Sequence, residues 1–153
     1  MSEGLSGRLE NGAHIFPVRV YYEDTDFSGV VYHARYLHFL ERARTELLRL
    51  LGISHSRMEE GGYGAPLAFA VRRMEIDFHR SARIDDLLSV RTSVRKIAGA
   101  RIVLTQQALR GAEVLIEAVV TIAVVANGRA HRLPPEIAAR FGEVLAEDGV
   151  LAR

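Results

Sequence analysis

The chain has 153 residues, 48% of them hydrophobic and 25% charged, a globular balance that fits one domain and argues against disorder. Its 20 basic and 19 acidic residues leave a net charge of +1, which speaks against a whole-protein nucleic-acid binder. The absence of cysteine excludes disulfides, thiolate metal sites and a cysteine nucleophile, so any chemistry falls to oxygen and nitrogen side chains.

Residues 1–12 carry Glu3 and Glu10 and no apolar run, so they read as a flexible leader rather than a signal peptide. Residues 13–148 form the expected single domain, and 149–153 a tail. His14–Tyr22 is rich in β-branched and aromatic residues and predicts a strand, with Pro17 favouring a sheet edge. A turn over 23–29 leads into a helical pattern from about His33 to Leu51. Leu37, Leu40, Ala43, Leu47 and Leu51 recur at three- and four-residue spacing. Phe39, Leu48 and Leu50 widen the stripe and predict burial on most sides, and Gly52 stops the helix. A short helical or irregular stretch runs through Glu60.

Beyond Gly61–Gly64 the period becomes that of strands, at 67–79, 87–97, 101–110 and 114–126. The short connections 98–100 and 111–113 imply antiparallel hairpins. Pro134 and Pro135 open a terminal helix. The fold class is therefore α+β: a five-stranded antiparallel sheet with one long helix against it and a C-terminal helix. No segment approaches 18 apolar residues, so no transmembrane helix is expected.

Several motifs fall away. There is no Gly-x-Ser-x-Gly elbow and no phosphate-binding Walker loop. Residues 24–29 match the start of a calcium loop, but its twelfth position is Arg35 rather than Glu. The six histidines show no zinc spacing, so no metal is expected.

Three carboxylates, Glu23, Asp24 and Asp26, crowd the entry to the long helix. By themselves they fit a solvated turn that complements the helix dipole. Residues 30–34, however, offer no Ser, Thr, Asp or Asn to cap the helix. Uncapped amides beside a carboxylate have the parts for acyl transfer: one group attacks, and the others hold an oxyanion.

Val18–Asp26, Gly29–His33 and Glu41–Glu46 strongly resemble the Tol-Pal-associated acyl-CoA thioesterases, a branch of the 4-hydroxybenzoyl-CoA thioesterase group with the hotdog fold. The resemblance continues through Phe69–Phe78 and Ala82–Asp86 and covers residues 14–140. It implies a sheet wrapped around the long helix, a homodimer paired into a homotetramer, and active sites at subunit boundaries. It assigns the catalytic carboxylate to Asp26 and carbonyl polarisation to the His33 amide. Tyr22 and the His33 side chain fall at positions that place substrate or water. Phe27, Ser28 and Arg35 depart from the small residues usual in the group, which bears on acyl-pocket size.

The implied activity is hydrolysis of acyl-CoA, short- to medium-chain and aliphatic, with acyl carrier protein a further partner and no cofactor beyond the CoA of the substrate. The implied location is the cytoplasm, peripheral to the inner membrane. The basic hairpin holding Arg95, Lys96 and Arg101 is the expected CoA-phosphate site, with Arg129 and Arg132 near the end of the last strand as secondary candidates. Glu41 and Glu46 are competing acids on the helix. Two other readings differ in class: a non-catalytic module that binds a carrier protein, and a hotdog dehydratase or hydratase.

Overall fold

The computed structural model describes residues 4–152. In chain order its elements are β1 (Arg8–Glu10), β2 (Ala13–Arg19), α1 (His33–Leu50), α2 (His55–Glu59), β3 (Ala68–Phe78), β4 (Leu87–Ala98), β5 (Arg101–Arg110), β6 (Glu113–Ala126), β7 (Arg129–Ala130), α3 (Pro135–Phe141) and β8 (Leu145–Ala152). One sheet runs β1-β2-β4-β5-β6-β3, with β7 on β6 and β8 on β4. The five predicted strands form its body.

Period-two alternation builds the inner face. Leu88, Val90 and Val94 of β4, Ile102, Leu104 and Ala108 of β5, and Ile116, Val120 and Val124 of β6 are buried in one core. α1 meets that face with Tyr36, Phe39, Leu40, Ala43 and Leu47, the positions that three- and four-residue spacing brings to one side. Burying each large side chain contributes about 1.5–3 kcal/mol. One polar network crosses the seam. The Gln106 amide donates to the Leu40 carbonyl (3.1 Å) and to Thr92 Oγ1 (3.0 Å), and Arg44 donates to Gln106 Oε1 (2.9 Å).

α1 ends in a Schellman motif. Gly52 has φ +73, its amide donates to the Arg49 carbonyl, and the Ile53 amide donates to Leu48. The helix buries less of its surface than its stripe predicts. Leu37 and Leu50 are 41% and 39% exposed. Tyr36, one position round from Leu37, takes the inward place.

Three further departures have physical causes. The predicted strand to Tyr22 stops at Arg19, and Tyr22–Asp24 turns as a short 3-10 segment. Within the expected leader, β1 pairs with β2 through Asn11–Gly12, both at positive φ. That is the same hairpin signal as Asn127–Gly128 between β6 and β7. Finally, β2 covers β4 only over Leu87–Thr92, and β8 fills the remaining edge from Val94 to Ala98 in parallel. The segment expected as a tail is thus strand backbone, apart from Arg153, which lies outside the described residues.

Candidate active site

The segment from Tyr21 to Arg35 is folded by its own carboxylates, and the three acids separate into different roles. Asp24 is buried. Its Oδ2 accepts the Tyr21 amide (2.8 Å), its Oδ1 accepts Arg35 Nε (2.9 Å) and Nη2 (2.8 Å), and its carbonyl accepts the Tyr32 amide (3.1 Å). It ties the 3-10 turn to the first turn of α1. Glu23 stays exposed, 3.9 Å from Arg35.

Asp26 begins a tight turn. Its amide donates to the Val30 carbonyl (2.9 Å), and the Gly29 amide, at φ +85, donates back to the Asp26 carbonyl (3.0 Å). An antiparallel bridge joins Thr25 to Val31. Asp26 itself is exposed, and its Oδ1 accepts both the Ser28 hydroxyl (2.5 Å) and the Ser28 amide (2.8 Å). The Ser28 hydroxyl, then the Ser28 amide, hold this carboxyl below its ordinary value of 3.8. The Val30 and Asp26 backbone groups lower it further, and the exposed Asp26 carboxylate stays available for chemistry.

A second loop braces this hairpin. The Val31 amide donates to the Ala82 carbonyl (2.9 Å), and Val30 bridges Arg83. The Ala82 amide in turn donates to the Tyr36 hydroxyl (2.9 Å), whose burial pushes its pKa up. Asp86 closes the brace by accepting the Arg83 amide and Arg110 Nη1, each at 2.8 Å. Burial raises the Asp86 carboxyl, and the Arg83 amide and Arg110 together outweigh it, leaving it below the usual range.

α1 starts without a side-chain cap. Tyr32 holds the N-cap position, and the Arg35 amide donates to its carbonyl (2.9 Å). The His33 and Ala34 amides meet no acceptor among the described residues. Two donors at the positive end of an 18-residue helix thus stand three residues beyond the strand-like pair that holds Asp26. The His33 ring lies against Phe78, centroids 4.9 Å apart, and Tyr22 is 81% exposed on the adjoining turn.

Tyr22, Asp26 and His33 therefore lie on one folded segment, the turn, hairpin and helix start between Tyr21 and Arg35. The predicted phosphate ligands do not join them. Arg95 sits in a bulge between Val94 and Lys96 late in β4, Arg101 opens β5, and Arg132 precedes Leu133, whose amide donates to the Gly99 carbonyl. From Asp86 to Arg95 is nine residues, about 30 Å of strand. Within one chain these cations lie at the far end of the sheet. Arg35, expected to bear on the acyl pocket, is instead spent on Asp24.

Sequence reasoning missed a cavity of about 350 Å³ between α1 and the sheet. Leu48, Phe69, Leu104, Ile122 and Phe141 give it an apolar wall, and Glu41, Arg44, Thr45 and His55 supply its polar groups. Burial lowers the pKa of Arg44, with Glu41 opposing. Glu41 is the only one of these polar residues with an expected role. The cavity joins residues up to a hundred positions apart, so local spacing carries no sign of it.

The model of the thioesterase-like superfamily matches residues 20–141. The acyl-CoA thioesterase YbgC of Haemophilus influenzae is 47% identical over 135 residues, covering 87% of this chain and 96% of its own. The acyl-CoA thioester hydrolase YbgC of Escherichia coli O157:H7 is 38% identical over 129 residues, covering 82% and 93%. Among solved structures, a probable thioesterase from Bartonella henselae superposes with a TM-score of 0.76 at 48% identity, over 80% of this chain and 99% of that one. A Thermus thermophilus thioesterase complexed with coenzyme A and Zn gives 0.71 at 25% identity, over 85% and 92%.

Proposed function

The chain belongs to the thioesterase-like superfamily and hydrolyses acyl-CoA thioesters, and from that premise we propose that Asp26 and the opening amides of α1 carry the reaction. The observation behind this reading is the pairing of an ionised, hydrogen-bonded carboxylate with two unused helix amides. The Asp26 carboxylate either attacks the thioester carbonyl, giving a mixed anhydride that water then hydrolyses to the free acid, or takes a proton from an attacking water. Negative charge develops on the carbonyl oxygen, and the His33 and Ala34 amides receive it, each such donor being worth about 2.7–4 kcal/mol. CoA leaves as thiolate. No cofactor enters the scheme. His33 and Tyr22 line the approach and position substrate or water.

The same reading makes the enzyme a dimer. Among the described residues β3 pairs only with β6, which leaves an 11-residue edge open, with Val71 48% and Phe78 46% exposed along it. Two copies pairing β3 antiparallel over its length bring Ala68 opposite the partner's Phe78. The cavity beside Phe69 in one copy then opens toward the partner's Asp26 and His33. In a single chain, Val71 and Phe78 are seven residues, about 23 Å, apart along the strand. The apolar wall suits an aliphatic acyl group. At ~30 Å³ per water-sized group, the volume holds roughly ten to twelve such groups, which supports short- to medium-chain substrates.

The test is hydrolysis of acyl-CoAs of graded length by the wild type and by Asp26→Asn, with sedimentation to read the oligomer. Retention of most activity by the variant removes Asp26 from its role. A fully active monomer removes the shared site.

A further inference from the structure

The cavity beside Phe69 does not end against the core alone. A second depression, of about 420 Å³, adjoins it at the C-terminal end of α1. Thr45, Leu48 and His55 line both spaces and so form the partition between them. The second space is built from residues 45–56, and no strand residue lines it. Phe69 and Val71, on β3, belong to the first space only.

The three partition residues are held in different ways. Leu48 is buried in the core under α1. Thr45, three positions earlier on the same helix face, is half-buried. His55 is exposed and opens α2, the short helix that follows the Gly52 turn. Its backbone is pinned, because Ile53 and Met58 on either side are buried and the Leu67 amide donates to the Met58 carbonyl (2.8 Å). Two positions on, the Arg57 guanidinium lies 4.2 Å from the centre of the Tyr63 ring and pairs with Glu136 of α3 at 3.3 Å. The His55 imidazole itself has no hydrogen bond or ion pair among the described residues. A fixed backbone thus carries a ring that changes rotamer without disturbing the fold.

We propose that His55 is the stop that ends the acyl cavity and sets the longest acyl chain the enzyme accepts, chains that displace its ring running on into the second depression. The proposal rests on the acyl-CoA reading, which puts the acyl group in the first space. The chemistry of the two spaces agrees with that order. Leu48, Phe69 and Leu104 wall the first, whereas Arg49, Ser54 and Ser56 face the second. A methylene chain buries more apolar surface in the first space, so the ring yields only to a chain that overruns it. His55 determines specificity and takes no part in the chemistry.

The experiment uses the full chain, His55→Ala and His55→Trp, with circular dichroism to check folding. Values of kcat/KM are read on acyl-CoAs from butanoyl to hexadecanoyl, and calorimetry reads binding of free octanoate and tetradecanoate. The alanine variant should gain tenfold or more on the long chains that the wild type cleaves poorly, stay within twofold on the shortest, and bind tetradecanoate more tightly. The tryptophan variant should shift the profile the opposite way, toward shorter chains, which simple loss of folding does not do. Ser56→Trp added to His55→Ala fills the second depression and should cancel the gain. Identical length profiles in the wild type and both His55 variants overturn the stop. So does a gain spread equally over all lengths, or one that survives Ser56→Trp. A wild type that cleaves no acyl-CoA sinks the acyl-CoA reading instead, and tetradecanoate binding gained in His55→Ala would then still uphold the stop.

Discussion

Arg35 places two nitrogens, Nε and Nη2, on a single oxygen of the buried Asp24, at 2.9 and 2.8 Å. The pair spans 11 residues and joins the turn before the active-site hairpin to the first turn of the helix after it. Replacing Arg35 with Gln leaves the Asp24 carboxylate buried without its cation. Breaking a buried pair costs about 3–5 kcal/mol, and the part-exposed Arg35 puts this one at the low end. Urea denaturation should show a loss of about 3 kcal/mol, and kcat should fall tenfold or more as the helix start shifts from Asp26.

Asp26→Asn should behave in the opposite way. The side chain is exposed, so stability should stay within about 0.5 kcal/mol of the wild type. kcat/KM for acyl-CoA should drop by roughly 10²–10⁴. Steady-state kinetics alongside thermal unfolding separates the two effects.

The Ser28 hydroxyl is the largest cause of the lowered Asp26 pKa. A depressed carboxyl is ionised at neutral pH and protonates only as pH falls through a value below 3.8, so activity that needs the anion has its acid limb there. Ser28→Ala removes the hydroxyl and should move the Asp26 midpoint up toward 3.8. Carboxyl-carbon NMR titration of the two proteins reads the shift directly. A midpoint that falls in the variant contradicts the assignment of Ser28.

Tyr36→Phe keeps the ring packed and deletes the hydroxyl that accepts the Ala82 amide. That buried donor is then unsatisfied, at a cost of about 1–3 kcal/mol. Hydrogen exchange should speed at Ala82 and at Val31, whose amide leans on the Ala82 carbonyl. kcat should fall further than KM rises, because the brace acts on the hairpin that presents Asp26.

Leu48 is buried along the cavity wall. Leu48→Ala should cost about 2–5 kcal/mol and lengthen the preferred acyl chain, read from the same graded series of substrates.

α1 and the four long strands were legible because each carries its own period over ten residues or more, whereas the Asn11–Gly12 hairpin lies inside the stretch expected as a leader. The missing side-chain cap at 30–34 was equally local, and Tyr32 does leave the helix start uncapped. The division of labour between Asp24 and Asp26 was not legible. Two identical residue types two positions apart differ only because one faces Arg35 and the other faces Ser28. β8 depends on β4 being longer than β2, a comparison between strands rather than a pattern within one. The register shift between Val71 and Arg73 in β3 is likewise announced by no spacing.

The bare start of α1 also fixes a limit on how this protein can be hardened. A side-chain cap at Tyr32 is worth about 0.5–2 kcal/mol, so Tyr32→Asp or Tyr32→Ser is an obvious thermostabilising change. The new side-chain oxygen would reach the Ala34 amide, one of the two that an oxyanion needs. Selection for heat resistance and selection for turnover therefore compete for the same N–H group, and a screen for stability alone would favour a robust, slower chain.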